Sequence, residues 1–348
     1  MIITERDYID VVALGELLVD MTQCGLSPQG RALFEANPGG APANVLAMLS
    51  KLGKRTAFIG KVGEDSFGHM LADTLRELNI DTGSLFFDRE IPTTLALVSN
   101  KPDGDRDFSF YRKPGADVML TPEDLRRSPL RSRPFYHIFH FGTLSLAAEP
   151  CRSATIMALE QARRDGALLS FDPNLRLPLW SDPEDAREWI RWGIRQCDVL
   201  KIADNELDFL SSCASIDEGC FALSQLAPQL RLILITAGAK GSYAWVPGLT
   251  CADLGSRLRF ADLVFEPAVS RGGVVDTTGA GDTFCASVLN FLLEQHLYTP
   301  SNLARLDEAA LRRMLRFANA AAYLVTTKRG AIPAMPDRSA VEALLAGN

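Results

Sequence analysis

The sequence predicts an α/β fold, a three-layer α/β/α sandwich built on a mostly parallel central sheet. Three observations lead there. Between Tyr136 and Thr236, apolar runs of strand length alternate with helix-length amphipathic segments, and strands separated in this way pair in parallel through right-handed crossovers. A chain of 348 residues with 47% hydrophobic content can bury a large core, as one big domain or two smaller ones. Finally, Thr277-Thr278-Gly279-Ala280-Gly281-Asp282 opens a run in which Phe284, Val288, Leu289 and Leu292 fall at helical spacing, so a tight turn leads straight into a helix.

From the N-terminus, 9–14 reads as a compact strand ending at Gly15. The extended Glu16-Leu17-Leu18-Val19-Asp20 follows, with a carboxylate at each end. Pro42 suits a first helical position, Val45, Met48, Leu49 and Leu52 make one apolar face, and Gly53 ends that helix. Asn44 therefore lies in its first turn, beside Gly39 and Gly40, through which a ligand can approach the backbone. A strand at 57–60 and a helix over 67–78 come next. The runs 93–99 and 107–112 read as strands joined by the turn-rich Asn100-Lys101-Pro102-Asp103-Gly104, a hairpin. Phe108, Phe110 and Arg112 share one face of the second strand. Arg112, a cation ending an apolar face, either snorkels to water or meets an anion or a sugar hydroxyl.

The middle of the chain carries strands at 136–141, 168–171, 199–202 and 232–236, with helices near 149–164, near 184–196 and from 205. In open parallel sheets ligands collect at the C-terminal ends of the strands. That rim takes in Asp172-Pro173-Asn174-Leu175-Arg176, Glu206 and Thr236-Ala237-Gly238-Ala239-Lys240-Gly241. The segment 248–271 reads as an irregular insertion, and the last long helix, 311–325, carries Asn319. Internal repeats and low-complexity tracts are absent from the sequence.

The turn at 279–281 has a chemical reading. Nothing bulky shields the backbone N–H groups of Gly279, Ala280 and Gly281, and a helix N-terminus favours anions through those amides and through its macrodipole. A phosphate fits that seat. Asp282 beside it would repel the phosphate, an oddity that disappears if a base is needed where the phosphate arrives. The plainer alternative is a turn with an aspartate stabilising its own helix. Neither a G-x-x-x-x-G-K-[ST] loop nor a G-x-G-x-x-G directly after the first strand is present, so a nucleotide must be held in another way and a nicotinamide dehydrogenase is disfavoured.

Composition narrows the field further. A net charge of -7 implies no basic face for nucleic acid. No run approaches the roughly 18 apolar residues of a membrane span. Glu5, Asp7 and Asp10 precede the first strand, the wrong charge for a secretory leader, so a cytoplasmic location is expected. Seven scattered cysteines without a C-x-x-C pair fit reduced thiols. His137 and His140 sit in a strand-like run, which disfavours a zinc site.

Two motifs carry a resemblance. Gly39-Gly40-Ala41-Pro42-Ala43-Asn44 with Gly53 and Gly63, and Asp276-Thr277-Thr278-Gly279-Ala280-Gly281-Asp282, resemble the two signatures of the PfkB-type, ribokinase-like carbohydrate kinases. Phe110 to Asp117, Asp172 to Trp180 and Gly330-Ala331-Ile332-Pro333-Ala334 resemble the fructokinase branch, and the likeness runs over nearly the whole chain. It implies one kinase domain over 1–348 with a small β-sheet lid from segments near 16–36 and 93–112, and an ATP-dependent transfer to a sugar, fructose first.

Residue by residue, the resemblance makes Asp282 the base for the sugar hydroxyl and the Gly279, Ala280 and Gly281 amides the anion hole. Asp20, Gly39, Gly40 and Asn44 match sugar-binding positions, with Arg112, Asn174 and Arg176 as further contacts. Thr236, Gly238 and Gly241 match the nucleotide shelf, and Asn319 lies near the adenine. Glu206 matches an acidic residue that organises Mg²⁺ through water, and Asp276 and Thr278 match a K⁺ site. The sequence departs from the family at Ala203, where an Asn is usual, and at Ser287, where a Gly is. A homodimer paired through its lids is expected. Ribose, 2-keto-3-deoxygluconate and an aminoimidazole riboside stay open as acceptors, and a non-catalytic sugar or nucleotide sensor is the reading from another class. The intact Asp282 and Gly-Ala-Gly weigh against the sensor.

Overall fold

The computed structural model describes residues 8–100, 106–132, 136–211, 213–247 and 263–347. In chain order the strands are β1 (Ile9–Leu14), β2 (Leu18–Leu26), β3 (Ala32–Gly39), β4 (Thr56–Gly63), β5 (Ile80–Asp88), β6 (Leu95–Asn100) and β7 (Arg106–Tyr111). Then come β8 (Tyr136–Gly142), β9 (Leu168–Asp172), β10 (Val199–Ala203), β11 (Leu232–Thr236), β12 (Gly241–Trp245) and β13 (Leu263–Pro267). The helices are α1 (Ala41–Lys51), α2 (Ser66–Glu77), α3 (Pro122–Arg127), α4 (Cys151–Arg164), α5 (Pro183–Ile194) and α6 (Asp204–Ser211). They continue with α7 (Ile216–Leu226), α8 (Ala280–Glu294), α9 (Pro300–Leu303), α10 (Glu308–Thr326) and α11 (Arg338–Leu345).

Nine strands form the central sheet in the order β13-β12-β11-β10-β9-β8-β1-β4-β5. From β11 to β5 every neighbour is parallel, while β12 and β13 add an antiparallel edge. Strands buried on both faces read as continuous apolar runs, which is why Val-Val-Ala-Leu in β1 and Leu-Ile-Leu-Ile in β11 show no alternation. One layer packs α1, α2, α8 and α10 against the sheet around Met48, Leu71, Leu289 and Leu315. The other packs α4, α5 and α7 around Phe139, Phe171, Ile190 and Leu223. The sandwich is thus the one expected.

The second sheet, β3-β2-β6-β7, stands beside the first. Its β6 and β7 pair antiparallel as the expected hairpin, whose connector at 101–105 lies outside the described residues. Between them and β3 runs β2, parallel to β6 and separated from β1 only by Gly15, Glu16 and Leu17, so the small sheet grows directly out of the central one.

Part of the segment expected to be irregular is a strand. Residues 263–267 form β13, paired to β12 from Gly241↔Pro267 to Trp245↔Leu263; 248–262 lie outside the described residues. Several elements had no clear sequence signal, β5 and α7 among them. In β5 Gly83 and the polar Asp81, Thr82 and Ser84 blur the alternation, and α7 follows α6 so closely that the two read as one segment.

Helix α8 is the most enclosed helix near the site, with Phe284, Val288, Leu289 and Leu292 all at 0–1% exposure. Truncating Leu289 to Ala leaves a cavity that this packing cannot close, and costs about 2–5 kcal/mol of stability, to be read from urea unfolding midpoints.

Candidate active site

Two helix N-termini meet at the C-terminal rim of the sheet. Gly40 precedes α1 at φ 115, a conformation that a side chain rarely adopts, and a Cβ there would collide with the Glu16 carbonyl. This close passage sets Asn44 in the first turn, where its Nδ2 donates to Oδ2 of Asp282 at 2.8 Å. Asp282 in turn sits in the first turn of α8. Asn44 Oδ1 is buried without a partner, an acceptor left over for a ligand.

Gly279 caps α8 in the left-handed region, φ 78, and no side chain bonds the exposed amides. The first amides of a helix have no partner within it. The Ala280 N–H leans on Thr277 O at 3.3 Å. Asp276 shapes the turn from behind, with Oδ1 accepting from Thr278 N at 2.7 Å and Oδ2 from Gly330 N at 3.0 Å. Ser287 keeps its hydroxyl on Thr283 O at 2.8 Å, so its departure from the smaller residue leaves no orphaned polar group.

Two cavities open on either side of this turn. The first, about 660 Å³, is lined by Asp20, Gly40, Asn44, Asn174, Arg176, Asp276, Thr278, Gly279, Gly281 and Asp282 among others. The second, about 530 Å³ and mostly apolar, is lined by Thr236, Gly238, Gly241, Ala280, Gly281 and Asn319 among others. They share Lys201, Val274, Thr277 and Gly281. A polar cavity and an apolar one, meeting at a cluster of helix amides, is a geometry for moving an anionic group from one ligand to another.

Electrostatics single out Asp282. Burial first, and the charge of Asp172 second, push its carboxyl up to about 6, against the Asn44 hydrogen bond, Lys201 and Arg176, which pull it down. Near neutrality it is an ionised but weakly solvated carboxylate, the condition of a usable base.

Other expected residues sit differently. Gly39 does not line the first cavity but backs it: a Cβ there would strike the Asp20 carboxylate. Asn319 has its amide committed to Glu266 O and Pro267 O at 3.1 Å and its Oδ1 to Ser242 at 2.8 Å, so it fastens the β12–β13 edge that walls the second cavity. Arg112 is not among the residues that line the first cavity, although Leu144, whose carbonyl it meets, is. Its guanidinium pairs with Asp117 at 2.6 Å, reaches Leu144 O at 3.0 Å and is 4% exposed, because a buried cation needs a buried carboxylate more than a seasonal ligand. Glu206 has both oxygens on backbone amides, Leu175 N at 2.6 Å and Ala203 N at 2.8 Å, and braces two strand ends. Among the described residues no group of three or more His, Cys, Asp or Glu could grip a metal.

Two residues escaped the sequence reading. Glu16 lines the first cavity and accepts from Ala41 N at 2.8 Å, and burial raises its carboxyl to about 7. Lys201 lies in the middle of β10 and pairs with Asp172 at 3.0 Å. The signal for it was a lone cation inside the apolar Val-Leu-Lys-Ile-Ala.

Comparison with known proteins identifies the family. The pfkB family of carbohydrate kinases matches residues 9–338. A probable fructokinase-2 of Arabidopsis thaliana is 43% identical over 94% of this chain and 92% of its own. Among solved structures, a fructokinase from Xylella fastidiosa with bound ATP superposes at a TM-score of 0.84, with 29% identity over 97% of this chain and 98% of that one. A fructokinase from Vibrio cholerae O395, in fructose, ADP and calcium ion bound form, gives 0.80 and 31% identity over 97% and 99%. The chain belongs to the pfkB family of carbohydrate kinases and is a sugar phosphotransferase.

Proposed function

We propose that this chain is an ATP-dependent fructokinase, carrying the γ-phosphoryl group of ATP to D-fructose and releasing fructose 6-phosphate and ADP. One observation carries the reading: the Asp282 carboxylate, oriented by Asn44 at 2.8 Å, stands at the Gly281 wall shared by the two cavities. The full-length likeness to fructokinases supports the choice of sugar.

In this reading fructose occupies the first cavity against Asp20, Gly40, Asn44, Asn174 and Arg176, with Gly39 keeping room for Asp20. ATP lies in the second, its adenine end toward Thr236, Gly238, Gly241 and the edge held by Asn319. Asp282 takes the proton as the hydroxyl attacks, and the Gly279–Gly281 turn offers amide donors to the transferring oxygens. Phosphoryl transfer asks mainly for positioning and charge neutralisation, and preset amides provide both without reorganising. Mg²⁺ belongs here as the ion that accompanies the phosphates of ATP through water. A K⁺ ion beside Asp276 and Thr278, a cytoplasmic location in keeping with the six free cysteines among the described residues, and a homodimer through the small sheet complete the proposal. The exposed Leu26, Leu33 and Phe34 on that sheet are the surface such a dimer would cover.

The test is a coupled ADP assay over fructose, ribose, 2-keto-3-deoxygluconate and an aminoimidazole riboside. Fructose should give the highest kcat/KM, and a better rate on another sugar would replace it as the acceptor. Asp282→Asn should lower kcat by about 10²–10⁴-fold while fructose and ATP affinities, read by calorimetry, stay within a few-fold. Because the base works only when ionised, kcat/KM should rise with pH through about 6 and level off above it. Asn44→Ala removes a hydrogen bond that favours the carboxylate, so the acid limb should move to higher pH.

A further inference from the structure

Lys201 is the one cation among the residues that line both cavities. It projects from β10 with the residue only 6% exposed. Its Nζ lies 3.0 and 3.2 Å from the two carboxylate oxygens of Asp172, and a Cβ placed on Gly281 would come within 3.0 Å of it. The ammonium is therefore packed against the backbone of the turn that a transferring phosphoryl group must pass. Burial works against its charge, but Asp172, Glu206 and Asp282 outweigh that and hold it protonated, above the ordinary lysine range.

At the junction Arg176 faces Asp282 from the first cavity, and Lys201 is the cation that also lines the second. Asp172, Glu206 and Asp282 are all buried, and an incoming γ-phosphate would bring further negative charge to the same place. Across the shared wall the remaining residues, Val274, Thr277 and Gly281, carry none. Ala203, two residues along β10 on the same face, presents only a methyl group. Amides at the helix start supply partial charges, whereas a lysine supplies a full one on a flexible stem with three donors.

We propose that Lys201 is a catalytic residue whose ammonium binds the transferring phosphoryl oxygens as they cross beside Gly281, loosening its hold on Asp172 to do so. The proposal rests on the phosphotransfer reading above. In the step, the sugar O–H gives its proton to Asp282, the sugar oxygen forms a bond to Pγ, and the bond from Pγ to the bridging oxygen breaks. The electron pair stays on the β-phosphate of ADP. Lys201 keeps its proton throughout and, with three donors, meets the phosphoryl oxygens while still facing Asp172.

Lys201→Met alone would strand Asp172 as a buried, unpaired carboxylate and could unfold the chain. The decisive variant is therefore Lys201→Met with Asp172→Asn, which removes both charges at nearly constant volume, checked for folding by calorimetric melting. It should retain fructose affinity yet lose about 10²–10³-fold in kcat, the cost of removing one such donor, and Lys201→Arg should recover part of the rate. By calorimetry the double variant should also lose the preference of the wild type for a non-hydrolysable ATP analogue over ADP. A double variant within about threefold of wild-type kcat would reduce Lys201 to a structural partner of Asp172 and overturn the proposal. If the wild type phosphorylates none of the sugars, the functional reading fails separately. The nucleotide arm then decides for Lys201, and an unchanged analogue-to-ADP preference overturns it.

Discussion

The hydrogen bond from Asn44 to Asp282 is the constraint on which the rest of the structure depends. It joins the first turns of two helices that are 238 residues apart in sequence, and both helices bury their remaining length in the same apolar layer. A carboxylate in that position is costly to keep ionised, since burial works against it. The cost is offset locally, by one amide donor and by the positive ends of two helices, and globally by the packing of α1 against α8. The Asp282 carboxylate is thus held by the core of the protein and not by a loop.

Around that point, charge is arranged in matched pairs. Arg112 with Asp117 and Lys201 with Asp172 are both nearly sealed from water, and each supports a wall of the first cavity. Breaking a buried pair from one side is more damaging than never having had it. Such pairs therefore serve to fix geometry more than to add stability. They explain why a site with three carboxylates in close company can accept an anion at all.

Much of this was legible in the sequence, and the reasons differ by element. Strands β1, β8, β9, β10 and β11 showed as apolar runs because both of their faces are covered, and the two glycine motifs announced sharp turns into helices. The edge strand β13 was hidden because its residues, Leu263-Val264-Phe265-Glu266-Pro267, follow a stretch without periodicity and pair only with β12. Arg112 meets an anion, one of the partners its pattern allowed, but alternation along a strand says which face a side chain takes and could not name Asp117, five residues on, as that partner. Lys201 and Glu16 were passed over since neither lies in a recognisable motif; only three-dimensional proximity gives them partners.

The junction at Gly39 and Gly40 has a mechanical meaning. It is the point at which β3, an edge strand of the small sheet, becomes the first turn of α1, with only Gly40 between them. Asp20 on β2 is paired in register with Asn37 on β3, two residues before that junction. Under the proposed function, a shift of the small sheet over a sugar would reach, within about one helical turn, the Asn44 amide that donates to Asp282. In that reading, sugar occupancy and the alignment of the Asp282 carboxylate would be linked through this one stretch of backbone.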